Sequence, residues 1–323
     1  MPALVSVLIP CFNAEQWIAQ AIESALAQTW PEKEVIVVDD GSTDGSLEVI
    51  RRFEGRIRWE TGPNRGGGVA RNRLLALASG EWLQYLDADD FLLPQKLERQ
   101  LEFARLHGDC DVIYSPTIWE KREDGLHFSV KTQIPEPHDP WVLLALWHLP
   151  QTGGPLWKRS ALERVGGWRV EQPCCQEHEL YFRLLAAGCR FEFCDGCFAV
   201  YRDWDHSPRL TTKNFAEVRK QRLIILSRIE NFLRDNAELS PARRQAINDA
   251  RHQIARETWQ RDQNFAVEIA RKIKDSDPSF CPSEGPASPQ SYRVVYRVLG
   301  FRGAQWVADS GRSVASIVSD RAV

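Results

Sequence analysis

The chain has 323 residues, 43% of them hydrophobic, which suits one large domain, or one domain with an appendage, around a substantial core. A formal net charge of −3 and a pI near 6.2 exclude bulk attraction to nucleic acid. No run approaches the ~20 apolar residues of a membrane span, and the opening MPALVSVLIPCFN lacks a basic leader and a small-residue cleavage site, so a first strand and a cytosolic protein are expected.

In chain order, VSVLIP (residues 5–10) is an apolar run expected of a strand buried on both faces. Asn13 and Gln16 have capping-box spacing and predict a helix starting at Asn13. A second buried strand, residues 35–38, ends in Asp39 and Asp40. A turn, a helix over 47–53 and a short strand over 57–60 follow. Gly66 to Gly68 form a turn before a helix over 69–78, and residues 82–86 make the next strand. This β-α-β-α-β-α-β order predicts an α/β fold with a mainly parallel, doubly wound sheet. Ligands in such sheets sit at the carboxyl ends of the strands, so Pro10 to Asn13, Asp39 to Ser42 and Asp87 to Asp89 should converge.

Further on, helices are predicted over 94–107, 141–148 and from Glu177 to Gly188, with strands over 111–114 and 190–200 and a hairpin turn at 121–125. Residues 214–234 carry an amphipathic helical face. Ser240-Pro241 opens another helix, expected to run to about Lys274. A Pro- and Ser-rich linker precedes a basic amphipathic segment starting at Tyr292. The expected divisions are 1–212 as catalytic domain (1–110 nucleotide-binding, 111–212 acceptor side), 213–275 as helical extension and 276–323 as linker and C-terminal segment.

Four constellations carry chemistry. Asp87-x-Asp89 offers hard oxygen ligands for Mg²⁺ or Mn²⁺, with phosphate and water completing the shell; the plainer reading is a turn, with Asp90 capping the next helix. Asp39-Asp40 can accept from a nucleobase N–H or a ribose hydroxyl, or can form an Asx turn. Arg71 and Arg73 at a helix start can neutralise a diphosphate, or can line a solvated face. Glu177, on the first turn of a helix, is a candidate general base, although such acids also serve the macrodipole. Cys194 and Cys197 have C-x-x-C spacing, with Cys174, Cys175 and Cys189 upstream, but no second pair at finger spacing supports structural zinc.

The blocks "VSVLIPCFNAEQWIAQAIESALAQTW", "VIVVDDGSTDGS", "NRGGGVARNRLLALASGEWLQYLDADD" and "RSALERVGGWRVEQPCCQEHELYFRLLAAG", in this order, resemble family-2-type inverting glycosyltransferases with the GT-A fold. The resemblance implies a GT-A-like nucleotide-diphospho-sugar transferase fold, here with a helical C-terminal extension, and an enzyme of glycan biosynthesis. It implies a nucleotide-diphosphate-sugar donor, a UDP-sugar first among them, and divalent Mn²⁺ or Mg²⁺. By family pattern Pro10, Phe12, Asn13, Asp39, Asp40, Arg71, Asp87 and Ala88 line the donor site, with Asp89 the leading metal ligand beside Asp87. Where the family carries Glu-Asp, this chain has Gln176-Glu177; Glu177 becomes the base and Glu179 the fallback. Trp157, Gln176 and Arg202 are implied on the acceptor or loop side, and His206, on the loop following Ala199, is a further metal candidate.

Rival readings are a non-catalytic nucleotide-sugar-binding protein on the same fold and a Rossmann-type enzyme, which the Pro-Cys-Phe-Asn turn after the first strand disfavours. The segment from Tyr292 to Arg312, basic and apolar by turns, reads either as a peripheral contact with the inner face of a membrane or as a packed helix.

Overall fold

The computed structural model describes residues 2–123, 126–204, 214–285 and 288–319. The chain divides into two compact units, Met1–Gln221 and Arg222–Val323.

In the first unit, β1 (Val5–Cys11), β2 (Lys33–Asp39), β3 (Arg58–Thr61) and β4 (Trp82–Tyr85) lie parallel, joined by α1 (Ile18–Leu26), α2 (Ser46–Arg51) and α3 (Gly67–Leu77). β1 and β2 are apolar nearly throughout because helices cover both faces, and Val7, Leu8, Ile9, Ile36 and Val37 are all fully buried. Cys11 pairs with Asp39, and Leu8 with Tyr85, so the strand ends that carry the polar motifs share one edge. The expected helix start at Asn13 is not observed. Asn13 adopts a left-handed conformation (φ 49°), and the helix begins at Ile18 without a side-chain cap.

After β4 come β5 (Phe91–Leu92), α4 (Lys96–His107) and β6 (Val112–Tyr114). The hairpin of β7 (Ile118–Glu123) and β8 (Leu126–Lys131) follows, then α5 (Pro140–Ala145), whose first turn is capped by Asp139. β9 (Leu156–Lys158), α6 (Arg159–Arg164), α7 (Gln176–Ala186), β10 (Phe191–Phe193) and β11 (Ala199–Trp204) complete the unit. Among the described residues the main sheet has the order β10-β6-β9-β4-β1-β2-β3. β9, antiparallel to both neighbours, is the reversed strand of an otherwise parallel sheet. A smaller sheet runs β5-β11-β7-β8.

The second unit is helical. α8 (Phe215–Asp235) enters it, followed by α9 (Pro241–Trp259), α10 (Gln263–Ser276) and α11 (Gln290–Ser319), the last broken at Gly300 (φ 64°). Ser240 caps α9 through its hydroxyl and Pro241 occupies the first turn, as the Ser-Pro signal predicts. The single helix expected to run to Lys274 is two. Asp262 leaves helical geometry and caps α10, accepting the Phe265 N–H at 2.9 Å. Glu230 is buried against Arg251 (2.6 Å), Arg234 (3.0 Å) and the Ser276 hydroxyl, a paired arrangement that a buried carboxylate requires. Among the described residues no helix is long and apolar enough to cross a membrane.

Candidate active site

Arg71 sits at the centre. Two of its guanidinium nitrogens donate, Nη2 to Asp87 Oδ1 at 2.8 Å and Nη1 to Gln176 Oε1 at 2.7 Å, and its plane lies over the Trp168 ring at 4.9 Å. α3 delivers Arg71 because Gly66, at φ 92°, turns the chain into the helix, and Gly67 leaves room for the link: a β-carbon there would meet Arg71 Nη1 at 3.1 Å. Burial disfavours the Arg71 cation, yet the carboxylates of Asp87 and Glu177 outweigh it and hold the guanidinium above its ordinary range. Arg71 thus joins the end of β4 to the first turn of α7. One residue on, Glu177 accepts the hydroxyl of fully buried Thr152 at 2.5 Å. That charge-assisted bond fixes the carboxylate in one orientation.

The nucleotide-side candidates lie on neighbouring loops. Phe12 is half exposed beyond the end of β1. Asn13 Oδ1 accepts the Thr43 N–H at 2.8 Å and Asn13 N–H donates to the Ser42 hydroxyl, so Asn13 ties the β1 and β2 loops together instead of capping a helix. Asp39 is buried, held by the Thr61 hydroxyl at 2.6 Å and by the Ser42 N–H. Asp40 accepts the N–H groups of Arg65 and Gly66, each at 2.8 Å, at the amino end of α3. Both aspartates therefore brace loops, as the turn reading anticipates. Pro10 lies at the same strand end. Arg73 is bound on both sides to Glu60 on an outer face (2.7 and 2.9 Å).

Ala88 is buried between Asp87 and Asp89. Asp90 does not cap the following helix; α4 starts later, at Lys96, and Asp90 is buried, accepting the Arg202 N–H at 2.9 Å. Arg202, expected on a mobile loop, is a buried strut on β11. It donates to the Asp89 carbonyl (3.3 Å) and to Gln20 Oε1 (2.5 Å), and it stacks over Phe91 at 4.5 Å. Burial lowers its pKa, with Glu120, Asp90 and Asp89 opposing the change. The Asp87-x-Asp89 turn is therefore held by one arginine from each side. Its hard carboxylate oxygens suit a divalent cation that takes most of its shell from diphosphate and water. Among the described residues no cluster of three metal-ligating side chains occurs, zinc included, and His206 lies outside them.

Two candidates are not brought to the site. Trp157, expected on the acceptor side, is fully buried at the centre of β9, stacked on Tyr181 at 5.1 Å, because β9 inserts between β4 and β6. Glu179 is locked between Arg169 (2.9 Å) and Arg183 (2.8 Å), and a carboxylate so paired is no base. Thr152, Trp168 and Gln20 were not predicted. The Thr-Gly-Gly turn after Gln151 is the one signal that could have drawn attention to Thr152.

Residues 6–151 match the profile of Glycosyl transferase family 2. An uncharacterized glycosyltransferase of Nostoc sp. is 33% identical over 211 residues, covering 57% of this chain and 65% of the relative. Chondroitin synthase of Escherichia coli is 36% identical over 126 residues, 38% of this chain and 18% of that protein. The chain thus spans less than two thirds of the length of these relatives. Among solved structures, Staphylococcus aureus TarS 1-349 in complex with UDP-GlcNAc aligns with a TM-score of 0.63 at 17% identity, over 96% of this chain and 92% of that one. A mannosyltransferase of Pyrobaculum calidifontis in complex with GDP-Man and Mn²⁺ aligns at 0.52 and 16% identity, over 95% and 87%. At these identities the likeness is one of fold, and the fold is the expected GT-A-like one with a helical C-terminal region.

Proposed function

We propose, from the match of residues 6–151 to the Glycosyl transferase family 2 profile, that the chain is an inverting, hexose-transferring glycosyltransferase of glycan biosynthesis. It takes a nucleotide-diphosphate sugar, UDP-linked first among donors, and passes the sugar to an acceptor hydroxyl on a glycan or lipid-linked chain. The observation that carries this reading is the Arg71 junction. One buried cation is bonded at once to the acidic strand end, through Asp87, and to the helix that presents Glu177, through Gln176. The nucleotides bound by the two structural neighbours support the donor class.

In this mechanism residues 1–110 hold the nucleotide and residues 111–212 face the acceptor. Glu177, oriented by Thr152, takes the proton of the acceptor hydroxyl. The acceptor oxygen forms its bond to the anomeric carbon as the bond to the diphosphate oxygen breaks on the opposite face, so configuration inverts. Arg71 faces the charge that gathers on the departing diphosphate. Asp89, with Asp87 beside it, would hold a divalent cation, which supplies further positive charge there when bound. The base contributes roughly 10²–10⁴-fold.

The test is nucleotide release and sugar transfer from a panel of labelled UDP- and GDP-sugars with Mn²⁺, using the parent chain and Glu177→Gln. The parent should release nucleoside diphosphate and the variant should lose at least about 10²-fold, with nucleotide binding unchanged. Near-normal transfer by the variant would remove Glu177 from the role of base. Binding without turnover in the parent, across the panel, would favour the binding-protein reading, for which Gln176 in place of the usual acid is the supporting feature.

A further inference from the structure

The catalytic reading leaves one adjacent thiol pair unused. Cys174 and Cys175 are adjacent in sequence, both reduced, with their sulfurs 4.0 Å apart. Cys174 is buried and Cys175 half-buried. Cys175 is the residue on which α7 begins, immediately before Gln176 and Glu177, and it holds a left-handed conformation (φ 57°) that residues with a β-carbon rarely adopt. The same few atoms carry the network around Gln176. Gln172 Nε2 donates to the Cys174 carbonyl at 2.7 Å, and Gln176 Nε2 donates to the Gln172 carbonyl at 3.0 Å. The Cys175 carbonyl accepts the Glu179 N–H at 3.0 Å, within the first turn of the helix.

We propose that Cys174 and Cys175 form a thiol-modification site, which small disulfides oxidise to a ring-closed vicinal disulfide that withdraws Gln176 and Glu177 from Arg71. The first half of this statement stands on the thiol geometry alone; the second rests on the catalytic reading of Glu177. In the first step the Cys175 thiolate attacks one sulfur of the small disulfide RSSR, forming a mixed disulfide and expelling RS⁻. The Cys174 thiolate then attacks the Cys175 sulfur, closing the ring and expelling the second RS⁻. Two thiols are oxidised, one disulfide is reduced, and the two thiol protons leave with the two RS⁻ groups.

Cys175 is the attacking group for two reasons: it is the more accessible of the pair, and the amino end of an eleven-residue helix favours a thiolate. The other buried thiols are poor competitors. Burial, with Asp39 adding to it, pushes the Cys11 thiol up to about 12, and burial likewise raises Cys110, Cys189 and Cys194. Burial also raises Cys174, which therefore acts second, when its target is already next to it.

Closing the ring brings sulfurs from 4.0 Å to bonding distance, about 2.05 Å. The Cα atoms of neighbouring residues are fixed about 3.8 Å apart, less than the roughly 4.4–6.8 Å that disulfides usually span. Backbone rotation at these two residues must absorb the difference, and the next residue is Gln176. The same constraint makes the bond easily reduced, so the modification is reversible.

The test incubates the reduced full chain with glutathione disulfide, then alkylates, digests with trypsin and weighs the peptide of residues 170–183, which contains both cysteines. The expected product lacks both alkyl groups and is lighter than the dithiol by two hydrogens. Dithiothreitol restores the dithiol. Release of nucleoside diphosphate should fall at least about fivefold in step with ring closure; Cys175→Ser, compared with its own reduced form, should be insensitive, and Cys174→Ser should stop at the glutathione adduct of Cys175 without closing a ring. A peptide that stays fully alkylatable while other thiols oxidise would overturn the site. A closed ring with unaltered turnover, or equal sensitivity in both variants, would overturn its link to Glu177. The peptide mass reads ring closure whether or not the chain transfers sugar, so the two failures are distinguishable.

Discussion

Acidification should destabilise the helical unit through one residue, His252. Its ring is about 2% exposed and is surrounded by Phe280, Tyr292, Tyr296 and Phe301, with ring centroids 5.4 to 6.1 Å away. The Tyr292 hydroxyl accepts from Gln305 Nε2 at 2.8 Å, which leaves its proton to donate to His252 Nε2 at 3.1 Å. Burial, and then the nearby Arg256 cation, lower the pKa from 6.5 to about 3. The histidine is therefore neutral in the fold. As pH falls below 6.5 the unfolded chain takes up a proton that the folded chain refuses, and stability drains away until about pH 3. Linkage across that gap gives a loss of about 2 kcal/mol at pH 5 and about 3 kcal/mol at pH 4, relative to pH 7.5. His252→Gln keeps an acceptor for Tyr292 and cannot titrate. Urea denaturation at pH 7.5 and pH 5, with amide exchange of α9 corrected for its intrinsic pH dependence, measures both chains. The parent should lose about 2 kcal/mol more than the variant between the two pH values. An equal loss in both would refute the assignment of the acid sensitivity to His252.

Three other outcomes are expected. Thr152→Val should lower kcat about tenfold or more with little change in donor KM, because the lost bond orients Glu177, the proposed base; Thr152→Ser should restore it, and a change in KM alone would refute this. Asp89→Ala should reduce the Mn²⁺-dependent part of UDP binding, read by calorimetry with and without metal, and identical metal-free and metal-loaded affinities in the parent would remove Asp89 as a ligand. Lys96 is fully buried, bonded to Gln100 Oε1, and burial lowers its pKa to about 7 from 10.5, with Cys194 opposing. The fold therefore gains stability as pH rises from 7 toward 10.5, and Lys96→Met should raise Tm most at pH 7 and below, with the gain shrinking toward pH 10. A gain independent of pH would refute it.

The parallel half of the fold was legible because β1 and β2 are apolar runs, buried on both faces, that stop abruptly at polar turns. β3 (Arg58–Thr61) is a largely polar edge strand that rests on its pairing with β2. β9 was not legible: three residues carry no period, and only the neighbours β4 and β6 make Leu156–Lys158 a strand. Asn13 and Asp90 look like caps in sequence, yet distant partners claim them, Thr43 and the Arg202 backbone respectively. The break between α9 and α10 was hidden because helical periodicity continues past Asp262; only its cap reveals it. In the candidate site, Arg71, Asp87 and Gln176 are joined in the structure, whereas Thr152 belongs to no motif and enters through a single hydroxyl.

The reversed strand β9 bears on where this unit can be cut. The family match ends at residue 151, five residues before β9 begins at Leu156. A fragment ended there would leave β4 and β6 as raw edges in the middle of the sheet, and the cavity that Trp157 fills would be open. Unpaired interior edges recruit other chains. The matched segment is therefore a unit of sequence similarity and not of folding: residues 6–151 should aggregate where the first unit, carried through β11 to Gln221, stays monodisperse. During synthesis the first four strands must likewise wait, with one flank unprotected, until Trp157 arrives.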